Sequence, residues 1–249
     1  MVNYQLIRSK QRKTLGLQIK CGKVIVRAPY SISEELINAF ILNKSTWLKA
    51  KVLAQQCQIE CCHFKQDSTL LYMGKPASLN ICLAKRPSVF LTTRSSESVD
   101  KANKESVTTV LNIEVNQRIY NKLSDSQQKS GYVRKQLGQF FKHQAQQLIN
   151  QRLSIISHKI RLKPTKTTIK QYRARWGSCN SRGEVNFNYL LMMTPLLVID
   201  YVIVHELCHL VHMNHSKHFW QLVAQHFPEY KTAKQWLKNN QSQLHWQVD

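Results

Sequence analysis

The chain has 249 residues, of which 43% are hydrophobic, enough for the core of one large domain or two small ones. It contains no run of the roughly 18 apolar residues that a membrane-spanning helix needs, and its first residues lack the apolar stretch of a signal peptide. Its seven cysteines are odd in number and mostly scattered, which argues against a secreted disulfide framework. We therefore expect a cytoplasmic protein with no membrane partner.

The positive charge of the chain is large and unevenly distributed. The formal net charge is +22, and residues 131–183 contain twelve Lys and Arg but no Asp or Glu. A field of this kind attracts anions such as nucleotides, nucleic acid or acidic surfaces. Charge that only keeps the protein soluble is the alternative explanation.

Residues 1–91 are predicted to form a β-rich region with one helix. A capping box at 31–34 begins the helix, and apolar residues at helical spacing continue it as far as Leu48. A hairpin turn is expected at Cys21–Gly22. Alternating runs predict strands at 4–8, 15–20, 23–27, 70–75 and 78–83.

A second metal site could be suggested by the group Cys57, Cys61, Cys62 and His63. Adjacent cysteines are awkward as paired ligands, and no other cluster in the sequence completes a tetrahedron. We therefore do not predict a metal site there.

Residues 92–130 are polar and are predicted to connect two regions, with one strand at 107–113. Helical spacing returns over residues 132–158.

Two arginines follow the next predicted strand, at 167–172. Arg173 and Arg175 lie two positions apart, so on a continuing strand they would share one face. There they could hold a carboxylate or phosphate of the substrate. Solvent-facing arginines are the alternative.

The sequence His-Glu-x-x-His at residues 205–209 indicates a metal site on a helix. Residues four apart share a helix face, so His205 and His209 can direct both imidazoles at one ion. Glu206 lies beside them and can take a proton from water as a general base. Zinc brings the pKa of bound water toward neutrality, so we predict one Zn2+, with another divalent metal as the alternative.

The helix that carries this motif is predicted to be buried. Thr194 and Pro195 form a helix start, with a capping hydroxyl before a proline, and residues 196–204 are apolar nearly all round. Imidazoles and a carboxylate on such a helix are costly unless something satisfies them. Histidines that are merely hydrogen-bonded in the core are the alternative, and metal binding is favoured over it.

A catalytic zinc commonly has three protein ligands, so one more is expected beyond His209. His215 is favoured, because its interval from His209 is that of the longer motif H-E-x-x-H-x-x-G-x-x-H. Asn214, just before it, tolerates the left-handed conformation that ends helices. Glu229 is the rival ligand, since some zinc hydrolases use a downstream glutamate.

Two further histidines are close in sequence. His212 lies about 10 Å along the helix axis from His205, which is too far for both to converge with His209. We therefore interpret His212 and His218 as surface residues or as residues that support the ligands.

Several groups of residues occur together in this chain: Arg175–Cys179, Asp200–His209, Asn214–Ser216, Phe219–Trp220, and Arg27–Pro29 with the helix around Trp47. In this combination the chain resembles the YgjP-like family of predicted metal-dependent hydrolases, which are related to the zincin metallopeptidases. The resemblance implies a zincin-like catalytic domain in which His205, His209 and His215 hold the metal and Glu206 is the base.

We therefore predict an α+β protein with a β-rich region (1–91), a polar connection (92–130) and a zincin-like catalytic domain (131–249). In the catalytic domain, the motif helix should pack against a β-hairpin or sheet. The predicted function is zinc-dependent hydrolysis of the metallopeptidase type, on an extended peptide or an anionic substrate.

Two other functions compete with this prediction. A nucleoside triphosphate pyrophosphohydrolase could use the basic stretch to clamp phosphates. A nucleic-acid-associated protein could use the metal structurally, although structural zinc sites are mostly rich in cysteine.

Overall fold

The computed structural model describes residues 3–20, 23–61, 64–95, 107–172, 175–241, 243–244 and 246. The chain divides into two compact units, Met1–Cys62 and His63–Asp249, and each combines strands with helices. The predicted α+β class is therefore confirmed. Within the described ranges, no helix is both long and apolar enough to cross a membrane.

The first unit is a three-stranded sheet with two helices. Its elements are β1 (Tyr4–Ser9), β2 (Gly16–Lys20), β3 (Lys23–Pro29), α1 (Glu34–Asn43) and α2 (Ser45–Cys61). β3 lies in the centre of the sheet, parallel to β1 and antiparallel to β2. Alternate residues of β3 join side chains of the two helices in a small core of Val24, Val26, Ala28, Ile37, Ile41 and Leu48.

The capping box predicts one helix in this unit, whereas the structure contains two. Ser33 caps α1 by accepting a hydrogen bond from the backbone N–H of Leu36 at 3.4 Å. At Lys44 the backbone leaves helical geometry, with φ −101° and ψ 8°, and α2 begins at the next residue. The apolar spacing continues across this break, so the sequence pattern does not reveal it.

Some predictions for this part of the chain lie outside the described residues. They concern the turn at Cys21–Gly22, residues Cys62 and His63, and the side chains of Cys57 and Cys61.

The second unit contains, over its described residues, two sheets and five α-helices. Its strands are β4 (Thr69–Tyr72), β5 (Lys75–Ala84), β6 (Ser88–Ser95), β7 (Val107–Asn116), β8 (Lys166–Lys170), β9 (Gly177–Cys179) and β10 (Glu184–Asn188). Its helices are α3 (Gln117–Lys122), α4 (Ser126–Ile160), α5 (Leu196–Cys208), α6 (Lys217–His226) and α7 (Tyr230–Asn240). The strands lie in the orders β4-β5-β7-β6 and β8-β10-β9, and a 3₁₀ helix (Tyr189–Met193) joins β10 to α5.

The division of the chain falls between Cys62 and His63, whereas the sequence pattern predicts boundaries at residues 91 and 130. β7 lies within the predicted connection but is an inner strand, parallel to β5 and antiparallel to β6. Its outer face is polar: the Asn112 side chain accepts a hydrogen bond from Asn80 and donates one to Thr92, both at 2.8 Å. This polar face gives the segment the composition of a loop, although its other face is buried in the core.

α5 is the central helix of the second unit, in contact with α4, α6, α7 and β9. Nine of its thirteen residues are buried, including Glu206, as predicted for an apolar helix. Arg152 of α4 forms a bidentate ion pair with Asp200 of α5, with distances of 2.7 Å (Nε to Oδ1) and 2.6 Å (Nη2 to Oδ2). This pair fixes the motif helix against the longest helix of the unit.

The start of α5 is fixed differently from the prediction. The Thr194 hydroxyl donates to the carbonyl of Leu191 at 2.8 Å and so closes the 3₁₀ helix, while Pro195 occupies the cap position without a side-chain bond. The β4–β5 hairpin supports this point, because Gly74 donates its N–H to the carbonyl of Met193 at 3.1 Å. Gly74 has φ +77°, and a Cβ there would lie 2.9 Å from Pro195, so glycine is required.

Candidate metal centre

Three histidine side chains converge at the C-terminal end of α5. His205 lies in its last turn, His209 is the cap residue with φ −66° and ψ −18°, and His215 lies just before α6. One ligand atom from each lies within 4.8 Å of the other two, and the Nε2 atoms of His205 and His215 are 3.1 Å apart. Nitrogens bound to one tetrahedral zinc at about 2.1 Å are separated by about 3.4 Å. The donor set and its spacing therefore fit a single divalent ion.

The chain reaches His215 by a path that differs from the prediction. The N–H groups of Leu210 and Val211 donate to the carbonyls of Leu207 and Cys208 at 3.0 and 3.1 Å, so the helix ends in tighter turns. Asn214 is not among the described residues with positive φ, and the expectation of a left-handed residue there is wrong.

The ring of His209 is oriented by the backbone of His212. The Nδ1 atom of His209 lies 2.9 Å from the carbonyl oxygen of His212. Because a carbonyl oxygen only accepts, Nδ1 carries the proton and Nε2 is left with a lone pair for a metal. The imidazole of His212 is not part of the converging group, and its ring centroid lies 6.2 Å from that of His218. Both residues remain outside the ligand set, in agreement with the spacing argument.

Phe219 packs against all three histidine rings. Its side chain is completely buried, with centroid distances of 4.4 Å to His209, 4.8 Å to His215 and 5.0 Å to His205. Trp220, the next residue, stacks on His215 at 5.7 Å. The three imidazoles therefore lie on a rigid apolar wall.

This environment favours the neutral form of the histidines. Burial, together with His209, His215 and Lys234, lowers the pKa of His205 to about 3. Burial also lowers the pKa of His209, and His215 adds to that effect. Only a neutral imidazole offers a lone pair to a metal, so both rings are in the ligand form at neutral pH.

Glu206 is buried beside the histidines and lies against β9. Its side chain is 5% exposed, and burial raises its pKa to about 8, with Arg175 acting in the opposite direction. A Cβ on Gly177 would lie 2.6 Å from both Cγ and Oε1 of Glu206. A glycine is therefore needed where β9 passes the carboxylate.

Arg175 is not placed as the sequence pattern predicts. Arg175 is exposed and lies in the connection between β8 and β9, so the argument from a shared strand face is wrong for it. Arg173 lies outside the described residues. The buried Asn188, which sequence reasoning missed, donates from Nδ2 to the carbonyls of Tyr172 and Arg175 at 3.1 and 3.0 Å. It therefore ties down both ends of this connection.

Glu229 does not join the converging histidines. It is exposed at the N-terminal end of α7 and is not among the grouped ligand atoms. The geometry thus favours His215 over its rival.

Comparison with known proteins gave a family match. The YgjP-like metallopeptidase domain matches residues 13–240. No curated protein matches the chain. One solved structure, the metallopeptidase zymogen of Pyrococcus abyssi abylysin, is similar at 19% identity and a TM-score of 0.34, covering 40% of this chain and 99% of that chain. That TM-score is too low to establish a shared fold, so the family assignment depends on the sequence match.

Replacing the third candidate ligand should release the metal. We expect His215→Ala to weaken zinc binding by about 100-fold or more, since even residues that only support a ligand contribute 10- to 100-fold. Glu229→Ala is the matched control and should bind zinc as the wild type does. Competition with a zinc-chelating dye measures both constants, and a reversed pattern would show that Glu229 is the ligand.

Proposed function

Because the chain belongs to the YgjP-like family of metallopeptidase domains, we propose that it is a zinc-dependent hydrolase that cleaves extended peptides. The observation that carries this proposal is the convergence of His205, His209 and His215 beside the buried carboxylate of Glu206. Hydrolysis of this kind needs a metal with an open coordination position and a base next to it. Three imidazole ligands leave such a position, whereas structural zinc sites are closed and mostly rich in cysteine.

In the proposed mechanism, the three histidines hold the metal and Glu206 moves the proton. When bound, zinc supplies a Lewis acid that polarises the substrate carbonyl and lowers the pKa of water. Glu206 takes the proton of the attacking water on its carboxylate and passes it to the leaving nitrogen. Its burial favours the protonated form, which supports the second of these transfers.

β9 supports a peptide as the substrate. It is one of the two edge strands of the β8-β10-β9 sheet, and its first residue, Gly177, lies against the side chain of Glu206. A peptide that adds to this edge would run past the carboxylate in an extended conformation. In this proposal Arg175 binds an anionic group of the substrate, and Arg173 remains a candidate for the same role.

Nucleotide hydrolysis is the second candidate function. It is favoured by the charge of Arg175, which acts on Glu206, and by the acid-free stretch 131–183. A cationic side chain next to a metal centre is what a phosphate group would need. A purely structural metal in a nucleic-acid-associated protein is less favoured, because the ligand group found among the described residues consists of three histidines, whereas structural zinc sites are mostly rich in cysteine.

A cytoplasmic location is also part of this proposal. The described cysteines Cys82, Cys179 and Cys208 are free thiols, as is usual in a reducing compartment.

The general base can be tested with Glu206→Gln. This change keeps the size of the side chain but removes its basicity, so we expect zinc binding to be retained and turnover to fall by about 100- to 10,000-fold. Zinc-loaded wild type and variant are assayed on an unfolded protein and on nucleoside triphosphates. Wild-type cleavage of the protein supports the peptidase, and phosphate or pyrophosphate release supports the second candidate.

A fully active Glu206→Gln protein would contradict the mechanism, whichever substrate is cleaved. Zinc content, measured on the same samples, separates loss of the base from loss of the metal.

The contact between β9 and Glu206 gives a second test. Gly177→Ala would push the carboxylate aside, and a displacement of about 1 Å can lower turnover about 100-fold. Gly131→Ala is the matched control, since a Cβ there has no neighbour within 4 Å. We expect Gly177→Ala to lose activity while it retains zinc, and Gly131→Ala to keep both. Equal activity of the two variants would show that β9 does not position the base.

A further inference from the structure

A basic cleft lies in the second unit between α4, the end of β8 and the 3₁₀ helix. Its volume is about 340 Å³, and it is lined by four cationic side chains and two amides: Arg134, Lys135, Lys142, Lys170, Gln139 and Gln171. None of its lining residues is acidic, and none is a histidine of the metal centre. The cleft is therefore a separate site with a strongly positive character.

The helical repeat of α4 and one glycine form this cleft. Arg134, Gly138 and Lys142 are spaced by four residues, so they lie along one face of α4. A Cβ at Gly138 would lie 3.5 Å from the hydroxyl of Tyr189 and 3.9 Å from the ring of Trp246. Because glycine has no Cβ, the space between Arg134 and Lys142 stays open. Tyr189 and Trp246 lie beneath it and form the floor of the cleft.

The floor of the cleft does not offer a surface for base stacking. Tyr189 is 8% exposed and Trp246 is 7% exposed, and their rings pack on each other with centroids 6.1 Å apart. A site that recognises a nucleobase usually presents a free aromatic face or hydrogen-bonding groups matched to the base. Here the exposed groups are mainly cations, which recognise phosphate.

The four cations of the cleft belong to a longer basic stretch of the sequence. Three of its cations lie on α4 and the fourth at the end of β8, within the stretch 131–183 that has twelve Lys and Arg and no acid. Four cations that line one cleft without an acidic lining residue attract a polyanion, and each neutralised phosphate releases counterions.

We propose that this cleft binds the phosphodiester backbone of nucleic acid, with little dependence on sequence. Arg134, Lys135, Lys142 and Lys170 contact phosphates, and Gln139 and Gln171 donate hydrogen bonds to phosphate or sugar oxygens. This function is independent of hydrolysis at the metal centre.

The test compares two triple variants of the full chain that lose the same charge. The cleft variant replaces Lys135, Lys142 and Lys170 by Ala, and the control variant replaces Lys75, Lys231 and Lys238 by Ala; all six side chains are exposed. Binding of a fluorescein-labelled single-stranded DNA of about 20 nucleotides is followed by anisotropy between about 50 and 200 mM salt.

The cleft variant should bind at least about tenfold more weakly than the wild type, and its slope of log affinity against log salt should be smaller by about two. The control variant should stay close to the wild type, and a second DNA of different sequence should bind with similar affinity. Equal weakening of the two variants would overturn the proposal, because net charge alone would then explain binding. Binding of nucleoside triphosphate in preference to DNA, or strong sequence preference, would also overturn it.

Discussion

Three imidazole nitrogens face one another at the end of a buried helix, and the elements packed against that helix position them. The His205 and His215 nitrogens are 3.1 Å apart, and a fully buried phenylalanine contacts all three rings. Imidazole lone pairs in such proximity can share one electrophile, and a divalent cation provides it. The nitrogens of His205 and His209 are positioned by α5. This helix is held by its burial, by the ion pair with α4 and by the β4–β5 hairpin at its start.

The same helix places the candidate base in a different environment from the ligands. Glu206 points to β9, where the absence of a side chain at Gly177 leaves room for the carboxylate. Asn188 then holds the segment that leads from β8 into β9 by two backbone carbonyls. One edge strand thus borders the carboxylate on one side and, in our proposal, the substrate on the other. In our proposal, Asn188 and Gly177 therefore both help to position the carboxylate of Glu206 for proton transfer.

Local spacing predicted the parts of the site that depend on one helix. The four-residue interval between His205 and His209 predicted that both lie on one helix face. The rise along the helix axis from His205 to His212 predicted that His212 is not a ligand. Features that depend on tertiary contacts were missed or mistaken. Thr194 closes a 3₁₀ helix instead of capping α5, and Arg175 lies in a connection whose path is set by Asn188. The strand predicted at 107–113 is present as β7, but its inner place in a four-stranded sheet was not expected, because its polar face bonds to neighbouring strands and no local pattern reveals them.

The central claim is that three histidines bind one metal ion, and zinc K-edge X-ray absorption on the zinc-loaded wild-type chain tests it most directly. The account predicts one zinc per chain, with three imidazole nitrogens at about 2.0–2.1 Å and no sulfur ligand. A sulfur shell at about 2.3 Å, or a coordination shell with fewer than three imidazoles, would contradict it.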